Sequence, residues 1–354
     1  MTFLGEALSV ARQANGITQD QLAQQAGITQ AALSRYEHDL REPSDEVLEN
    51  LADKLGITPE LLRRGQRIGG AMAVDAHMRR RATANVGSWR RLEARLNMHR
   101  LHTHQLMEEV AIRTNSTIPT VDPIDVEPSE AAAITRMQWR LPVGPVRNLV
   151  TWIESAGCLV IEEDFGTHRV DGLSQWIDSH PVILINAAMP TDRKRLTLAH
   201  ELGHLVLHAD TITSDPEGEA NQFAAEFLMP AAMIRPELKR LTLGQLQDLK
   251  RVWMVSMQAL IERAHSLGVL NSPDRTRLYK QLSARGWRKK EPISELLPHE
   301  TPALPTSIGT ALRERGLSPE EIDRIAGYSG PNPNNPFQPS THDTPPPGRH
   351  LKAV

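Results

Sequence analysis

The pentad His200-Glu201-Leu202-Gly203-His204 combines residue types that can bind a metal ion and move a proton. Two histidines four residues apart on a helix project from the same face, so both imidazoles can bind one Zn²⁺ ion. Glu201 lies beside them, where its carboxylate can accept a proton from water on the metal without being a ligand itself. The pattern predicts a hydrolytic zinc site with His200 and His204 as ligands and one ion per chain.

A catalytic zinc ion usually has a third protein ligand. The helix expected over residues 217–229 contains three acidic candidates, Glu217, Glu219 and Glu226. Glu219 and Glu226 are two turns apart on one face, about 10 Å along the axis, so only one of them reaches the metal. Spacing alone does not choose the ligand.

The elements that position these side chains are predicted from apolar patterns. The pentad lies in a helix expected over residues 191–208, in which His208 is about 12 Å from His200 and therefore too far away for the same ion. A supporting role beside the site is expected for His208. The runs Cys158–Glu162 and Val182–Asn186 predict two strands, and the second is expected to pair with the backbone of an extended peptide.

Two sequence blocks around the pentad resemble a known family. His200-Glu-Leu-Gly-His-Leu-Val-Leu-His is followed by Glu219-Ala-Asn-Gln-Phe-Ala-Ala-Glu-Phe-Leu-Met-Pro, and their order and separation resemble the ImmA/IrrE family of zinc metallo-endopeptidases over about residues 149–291. The resemblance implies a gluzincin-like site with His200, His204 and Glu219 as zinc ligands and Glu201 as general base. It also implies a protein substrate or partner, because family members typically cleave or antagonise a DNA-binding repressor.

A separate block, residues 18–38, has the pattern of a helix-turn-helix motif. Ala23 is small where two helices must cross, Gly27 suits the left-handed residue that ends the first helix, and Thr29 can cap the second helix. The outward side of the second helix carries groups that can hydrogen-bond to bases or contact a thymine methyl. The predicted DNA-contacting residues there are Thr29, Gln30, Ala31, Ser34 and Arg35.

The helix-turn-helix block resembles XRE/Cro-type repressors over about residues 3–62. The resemblance implies a double-stranded DNA operator as partner, with Gln19, Arg12 and Arg41 at phosphates. A homodimer is expected if the operator is palindromic. Residues 1–62 carry ten acids and four bases, which is unfavourable for binding a polyanion. A helix-turn-helix used only for protein contact is therefore the alternative.

The segment that follows is rich in arginine. Residues 63–113 contain eleven arginines against four acids, and Leu92, Leu96 and Leu106 recur at helical spacing. These features predict a basic helical connector, either a solvated helix face packed on the next domain or a source of attraction for DNA. Three prolines over residues 117–128 indicate a linker.

Composition excludes several classes of protein. The chain has 354 residues, a net charge of -3 and 40% hydrophobic residues, which are ordinary values for soluble globular domains. The single cysteine, Cys158, excludes an intramolecular disulfide and a cysteine-rich metal site. There is no apolar stretch of about 18 residues and no signal peptide, so no membrane contact and a cytoplasmic location are expected.

The predicted fold class is a multidomain chain: an all-α helix-turn-helix domain, then an α+β zincin-like metallopeptidase domain with a mainly helical C-terminal region. The predicted boundaries are 1–65 for the DNA-binding domain, 66–128 for the connector and linker, 129–292 for the peptidase domain, 293–330 for a small helical segment and 331–354 for a disordered tail. The predicted function is a transcriptional regulator fused to a zinc endopeptidase that cleaves or antagonises a repressor-type protein, in stress or mobile-element control. The alternative is a non-proteolytic repressor or antitoxin-like regulator whose metal domain senses or binds a partner.

Overall fold

The computed structural model describes most of the two predicted domains and part of the connector. The described residues are 4–63, 86–110, 114, 116–167, 170–177, 180–332 and 335–338. Six of the eleven arginines (residues 64, 67, 79, 80, 81 and 113) and most of the predicted tail lie outside them.

Five short helices form the N-terminal domain. They are α1 (Leu4–Ala14), α2 (Gln19–Ala26), α3 (Gln30–Glu37), α4 (Asp45–Leu55) and α5 (Pro59–Arg63). Their core is built mainly from leucine, including Leu8, Leu22 and Leu33, all fully buried. Thr18 and Thr29 accept hydrogen bonds from backbone N–H groups at the starts of α2 and α3, and α2 ends at Gly27 in the left-handed conformation. These caps agree with the predicted helix-turn-helix motif.

A long helix, α6 (Val86–Glu109), connects the two domains. Leu92, Leu96 and Leu106 are buried in a core shared with the sheet of the second domain, as their spacing predicts. Met98 and Leu101 are buried against the helix-turn-helix core. The helix therefore packs on both domains at once.

The second domain contains a three-stranded sheet with strands β1 (Leu159–Glu163), β2 (Gly172–Ile177) and β3 (His180–Asn186). The order is β1-β3-β2, with β1 and β3 parallel and β2 and β3 antiparallel. Because β3 is central, both of its edges are already paired, and the expectation that Val182–Asn186 pairs with a peptide is wrong. Strand β2 lies at an edge of the sheet and is not among the predicted strands.

Helices surround this sheet on both faces. Those of the second domain are α7 (Pro128–Gln138), α8 (Leu149–Ser155), α9 (Thr191–Leu207), α10 (Pro216–Leu228), α11 (Ala231–Ile234), α12 (Leu243–Trp253), α13 (Met257–Ser266) and α14 (Ser272–Ala284), followed by a 3₁₀ turn at Ser294–Leu296. Val160 and Ile183 face the core that contains α9, while Leu173 and Leu184 face α6 and the C-terminal helices. The motif helix therefore packs directly on the sheet.

The C-terminal helices α15 (Leu304–Glu314) and α16 (Pro319–Ile325) return to the N-terminal domain. Thr58 N–H donates to Gly327 O at 2.9 Å, and Ile57 forms a β-bridge with Tyr328. Phe337 is fully buried in the core around the sheet, so residues 335–338 belong to the folded molecule and the predicted tail begins too early. Among the described helices, none is long and apolar enough to cross a membrane.

Candidate functional site

Two helices bring three metal-binding groups together. His200 and His204 lie on α9 with their Nε2 atoms 3.1 Å apart. Glu217, in the first turn of α10, places its carboxylate oxygens 3.6 Å from His200 Nε2 and 3.3 Å from His204 Nε2. The donor atoms of these residues all lie within 4.8 Å of one another. This is the geometry of a compact cation site.

The donor set fits zinc. His200 Nδ1 lies 3.1 Å from Asn221 Oδ1, and His204 Nδ1 lies 3.0 Å from His208 Nδ1. When each Nδ1–H is the donor in these contacts, the Nε2 lone pairs of both histidines point into the space that Glu217 shares. Two imidazole nitrogens and one carboxylate are ligands that Zn²⁺ commonly takes in hydrolytic enzymes.

The carboxylate that lies beside the two histidines is that of Glu217, whereas the family resemblance implies Glu219 as the third ligand. Glu217 and Asn221 are four residues apart on one face of α10, and both reach the histidine pair. Glu219 is rotated by about 200° from Glu217 around the helix. Glu226 does not reach the histidine pair either, because its carboxylate accepts a hydrogen bond from Ala231 N–H and pairs with Arg263. The spacing of Glu217 and Asn221 is the sequence signal that the prediction overlooked.

Glu219 contacts the site through His208. Its Oε2 lies 2.8 Å from His208 Nε2, and His208 in turn contacts His204. Burial lowers the pKa of His208, against the opposing effect of the Glu219 carboxylate, so the ring is held in its neutral form. A neutral His208 that donates to Glu219 can accept the Nδ1–H of His204. The chain Glu219–His208–His204 therefore orients the second histidine of the pentad.

Glu201 points toward the edge strand β2. It is buried, and Ser174 Oγ on β2 lies 2.8 Å from its Oε2. A Cβ atom at Gly172 would lie 2.8 Å from Thr197 Cγ2 and 3.3 Å from Glu201 Oε1, so the glycine leaves room for both of these α9 side chains beside the strand. The serine hydroxyl donates to Glu201 and restricts where its carboxylate lies. Ser174 is not among the predicted site residues, because its strand β2 is not among the predicted strands.

The close contact between α9 and α10 depends on Gly203. A Cβ atom there would lie 3.2 Å from the Ala220 Cα atom and 3.1 Å from a ring carbon of Phe223. The glycine at the fourth position of the pentad therefore lets α10 approach α9 closely enough for Glu217 to reach the histidines.

The helix-turn-helix motif presents a polar network beside α3. Gln30 Nε2 donates to Gln19 Oε1 at 2.7 Å, and Gln19 Nε2 donates to Glu37 Oε2 at 2.8 Å. Arg12 binds both carboxylate oxygens of Glu37 at 2.6 and 2.9 Å. The network therefore orients Gln19 and Gln30. It also occupies the Arg12 guanidinium, which differs from the phosphate contact that the resemblance implies.

The remaining predicted DNA contacts lie on the outer side of α3. Thr29, Gln30, Ala31 and Arg35 are exposed, and Ser34 is half-buried. Thr29 also accepts a hydrogen bond from Ala32 N–H, so its hydroxyl caps the helix. The helix packs against α1 and α2 of its own domain.

Comparisons with known proteins match both domains. Residues 153–265 match the peptidase M78 family, described as the IrrE N-terminal-like domain, and residues 8–62 match the helix-turn-helix family. The chain is similar to the radiation response metalloprotease IrrE of Deinococcus radiodurans, with 43% identity over 75 residues that cover 17% of this chain. The match spans 23% of the length of that relative. The chain therefore joins a helix-turn-helix domain to an IrrE-like domain of a metallopeptidase family.

Proposed function

We propose that this chain is a zinc-dependent endopeptidase joined to a sequence-specific DNA-binding domain, and that it cleaves a regulatory, repressor-type protein. The observation that carries the proposal is the convergence of His200 Nε2, His204 Nε2 and the Glu217 carboxylate within 4.8 Å. The match to a metallopeptidase family supports the same reading.

The residues around this group have distinct roles in the proposed reaction. A zinc ion held by His200, His204 and Glu217 would supply Lewis-acid activation of water and of a peptide carbonyl. Glu201 accepts the proton of the attacking water and returns it to the leaving amine. Ser174 holds the Glu201 carboxylate in place for both transfers.

The edge strand β2 is the proposed place for the substrate backbone. Its antiparallel pairing with β3 leaves its other edge without a partner strand in the described sheet. Ser174 lies on this strand and contacts Glu201, so a peptide that pairs along β2 passes close to the proton acceptor.

The proposed DNA-binding role assigns base contacts to Gln30, Ala31, Ser34 and Arg35 and supporting phosphate contacts to Gln19 and Thr29. The exposed position of α3 and the preorganised Gln19–Gln30 pair support it. Arg35→Ala is expected to weaken operator binding by about 1–3 kcal/mol and to relax sequence preference at one position. Selection of genomic fragments by the purified protein measures this, with the exposed Gln25→Ala as control.

The test of the peptidase compares native-host cells that produce the wild type with cells that produce Glu201→Gln, with and without DNA damage. The variant removes the proton acceptor but none of the metal-binding groups, so zinc content should remain at one ion per chain while cleavage is lost. Sequencing of new protein N-termini should reveal a transcription factor cut only by the wild type. Cleavage by the variant, with contaminating proteases excluded, would remove Glu201 from the mechanism.

A second function, a repressor whose metal domain binds a partner without cleaving it, is favoured by the complete helix-turn-helix motif. It predicts the same operator occupancy and the same transcripts for wild type and Glu201→Gln, with no new N-termini in either. If these three results are found both with and without DNA damage, the non-proteolytic repressor would replace the endopeptidase as the proposed function.

A further inference from the structure

A groove of about 1120 Å³ opens beside the candidate metal centre, between the start of α9, one face of α10, and α13. Asn221 belongs to both places, because it lines the groove while its Oδ1 lies 3.1 Å from His200 Nδ1. Leu196, which also lines the groove, precedes His200 by one turn on the same face of α9. The groove therefore adjoins the candidate metal centre through Asn221, while His200, His204 and Glu217 lie outside its lining.

Most of the acidic charge of the groove wall is compensated by the protein's own cations. The pairs are Glu226 with Arg263, Glu262 with Arg275, and Asp192 and Glu291 with Lys250. The Lys250 ammonium is fully buried between its two carboxylates at 2.6 and 2.8 Å. The four acids and three cations leave one negative charge, which lies in the buried Asp192–Lys250–Glu291 cluster.

Small and apolar side chains make up much of the remaining wall. They are Leu196, Ala225, Met229, Ala231, Ala259 and Leu267. A concave apolar surface of this size suits side chains of a peptide, because burying them removes apolar area from water. A nucleic-acid strand would gain little from such a surface.

Two exposed cations at the rim have no such neutralising partner. Arg288 and Lys289 both line the groove, and within the described residues neither has a carboxylate within 4.0 Å. The guanidinium of Arg288 lies 5.1 Å from the ring centroid of Tyr279, which holds it in place by a cation–π contact. By contrast, Arg193 is paired with Asp171. The charge available to a ligand in the groove is therefore positive.

We propose that this groove binds an extended segment of the substrate protein, with apolar side chains against Ala225 and Ala259 and an acidic side chain at Arg288 and Lys289. The inference rests on the proposed endopeptidase function and adds a sequence preference to it. Substrates are selected by an apolar run followed or preceded by Asp or Glu, near the bond that is cut.

Peptide binding to full-length, zinc-loaded Glu201→Gln protein tests the groove without requiring turnover. The probes are two fluorescein-labelled nonapeptides, one with three leucines and two glutamates and the other with lysines in place of the glutamates. At low salt the acidic probe is expected to bind about 10-fold more tightly. Arg288→Glu with Lys289→Glu should reverse the preference, and Ala259→Trp should weaken both probes by filling the groove.

The matched control reverses two exposed charges outside the groove, Lys239→Glu with Lys280→Glu, and should keep the preference of the parent. Equal binding of the two probes, no detectable binding, or an unchanged preference in the rim variant would overturn the proposal. If the rim variant reverses the preference for the acidic probe while the wild type cuts no protein, the groove proposal is supported and the proposed endopeptidase function is wrong. If the wild type cuts proteins without any acidic preference, the groove proposal alone fails.

Discussion

Glu217 and Glu219 contact different histidines although only one residue separates them. Glu217 reaches the His200–His204 pair, whereas Glu219 binds His208, which orients His204. A direct ligand and an orienting residue differ in their effect on metal affinity. Loss of a ligand removes a donor atom, while loss of an outer partner costs about 10–100-fold in affinity.

Zinc affinity therefore distinguishes the two acids. Glu217→Gln is expected to weaken zinc binding by more than 100-fold, because a neutral amide replaces a charged ligand. Glu219→Gln should weaken it by about 10-fold, since an amide oxygen can still accept from His208. Competition with a chromophoric chelator measures both constants, and the exposed Glu130→Gln is the control. A larger loss in Glu219→Gln than in Glu217→Gln would reinstate Glu219 as the ligand.

Sequence patterns located the histidine pair but could not choose its acidic partner. The pair is local, since four residues on one helix determine its geometry. The partner depends on how α10 is rotated against α9, and that rotation follows from the packing of Phe223 and Ala220 against Gly203. The position of Ser174 is determined by strand β2. The Gly-Leu-Ser-Gln sequence of that strand lacks the run of β-branched residues that predicted β3.

At the scale of elements, the distance between α9 and α10 controls the candidate site. Gly203 lies directly against α10, since a Cβ atom there would lie 3.2 Å from the backbone Cα atom of Ala220. Backbone cannot swing aside as a flexible side chain would. Any side chain at position 203 must therefore push the two helices apart.

Gly203→Ala is expected to move α10 by a few tenths of an ångström and to weaken zinc binding by about 10-fold or more. Overpacking of this kind typically costs 1–3 kcal/mol in the free energy of unfolding. Gly244→Ala is the matched control, because its Cβ would meet no atom closer than 4.0 Å. Chelator competition and urea unfolding measure the two effects. Unchanged zinc affinity in Gly203→Ala would show that the helix spacing does not limit the site.

At the scale of the whole molecule, the DNA-binding domain is docked on the second domain. Helix α6 contributes Met98 and Leu101 to the N-terminal core, and Tyr328 stacks on His102 of α6 with ring centroids 4.1 Å apart. Burial lowers the pKa of His102 to about 4, so its neutral ring donates to Ala326 O. These contacts join residues far apart in the chain, which is why local sequence patterns predicted the helices but not their docking.

Tyr328→Ala is expected to loosen this junction without unfolding either domain. The change removes the stacked ring but leaves the backbone bridge to Ile57. Amide hydrogen exchange should become faster at Ile57 and Thr58, while α9 keeps its protection. Tyr279→Ala, on α14, is the control. Equal exchange at Ile57 and Thr58 in both variants would mean that the aromatic stack does not hold the domains together.

Glu154 links α8 to the C-terminal helices that reach the DNA-binding domain. Its carboxylate accepts hydrogen bonds from Ala303 N–H and Leu304 N–H at the start of α15. Burial nevertheless raises its pKa from 4.5 to about 7, because loss of hydration outweighs the two backbone hydrogen bonds. The folded protein therefore binds a proton here over a pH range in which the unfolded chain has released it.

This shift makes stability decrease as the pH rises. Below pH 4.5 the group is protonated in both the folded and the unfolded state. Between pH 4.5 and about 7 only the folded state retains the proton, so the free energy of unfolding falls as the pH rises. By pH 8 the total loss is about 3 kcal/mol. Glu154→Gln carries no such proton, so its stability relative to the wild type should rise by about 2.5 kcal/mol from pH 5 to pH 8, since part of the effect is already present at pH 5. Urea unfolding of both proteins at equal zinc loading measures the difference, in which other titrating groups cancel. A constant difference across this range would mean that Glu154 titrates near its ordinary value, and that the link between α8 and α15 is a charged one at neutral pH.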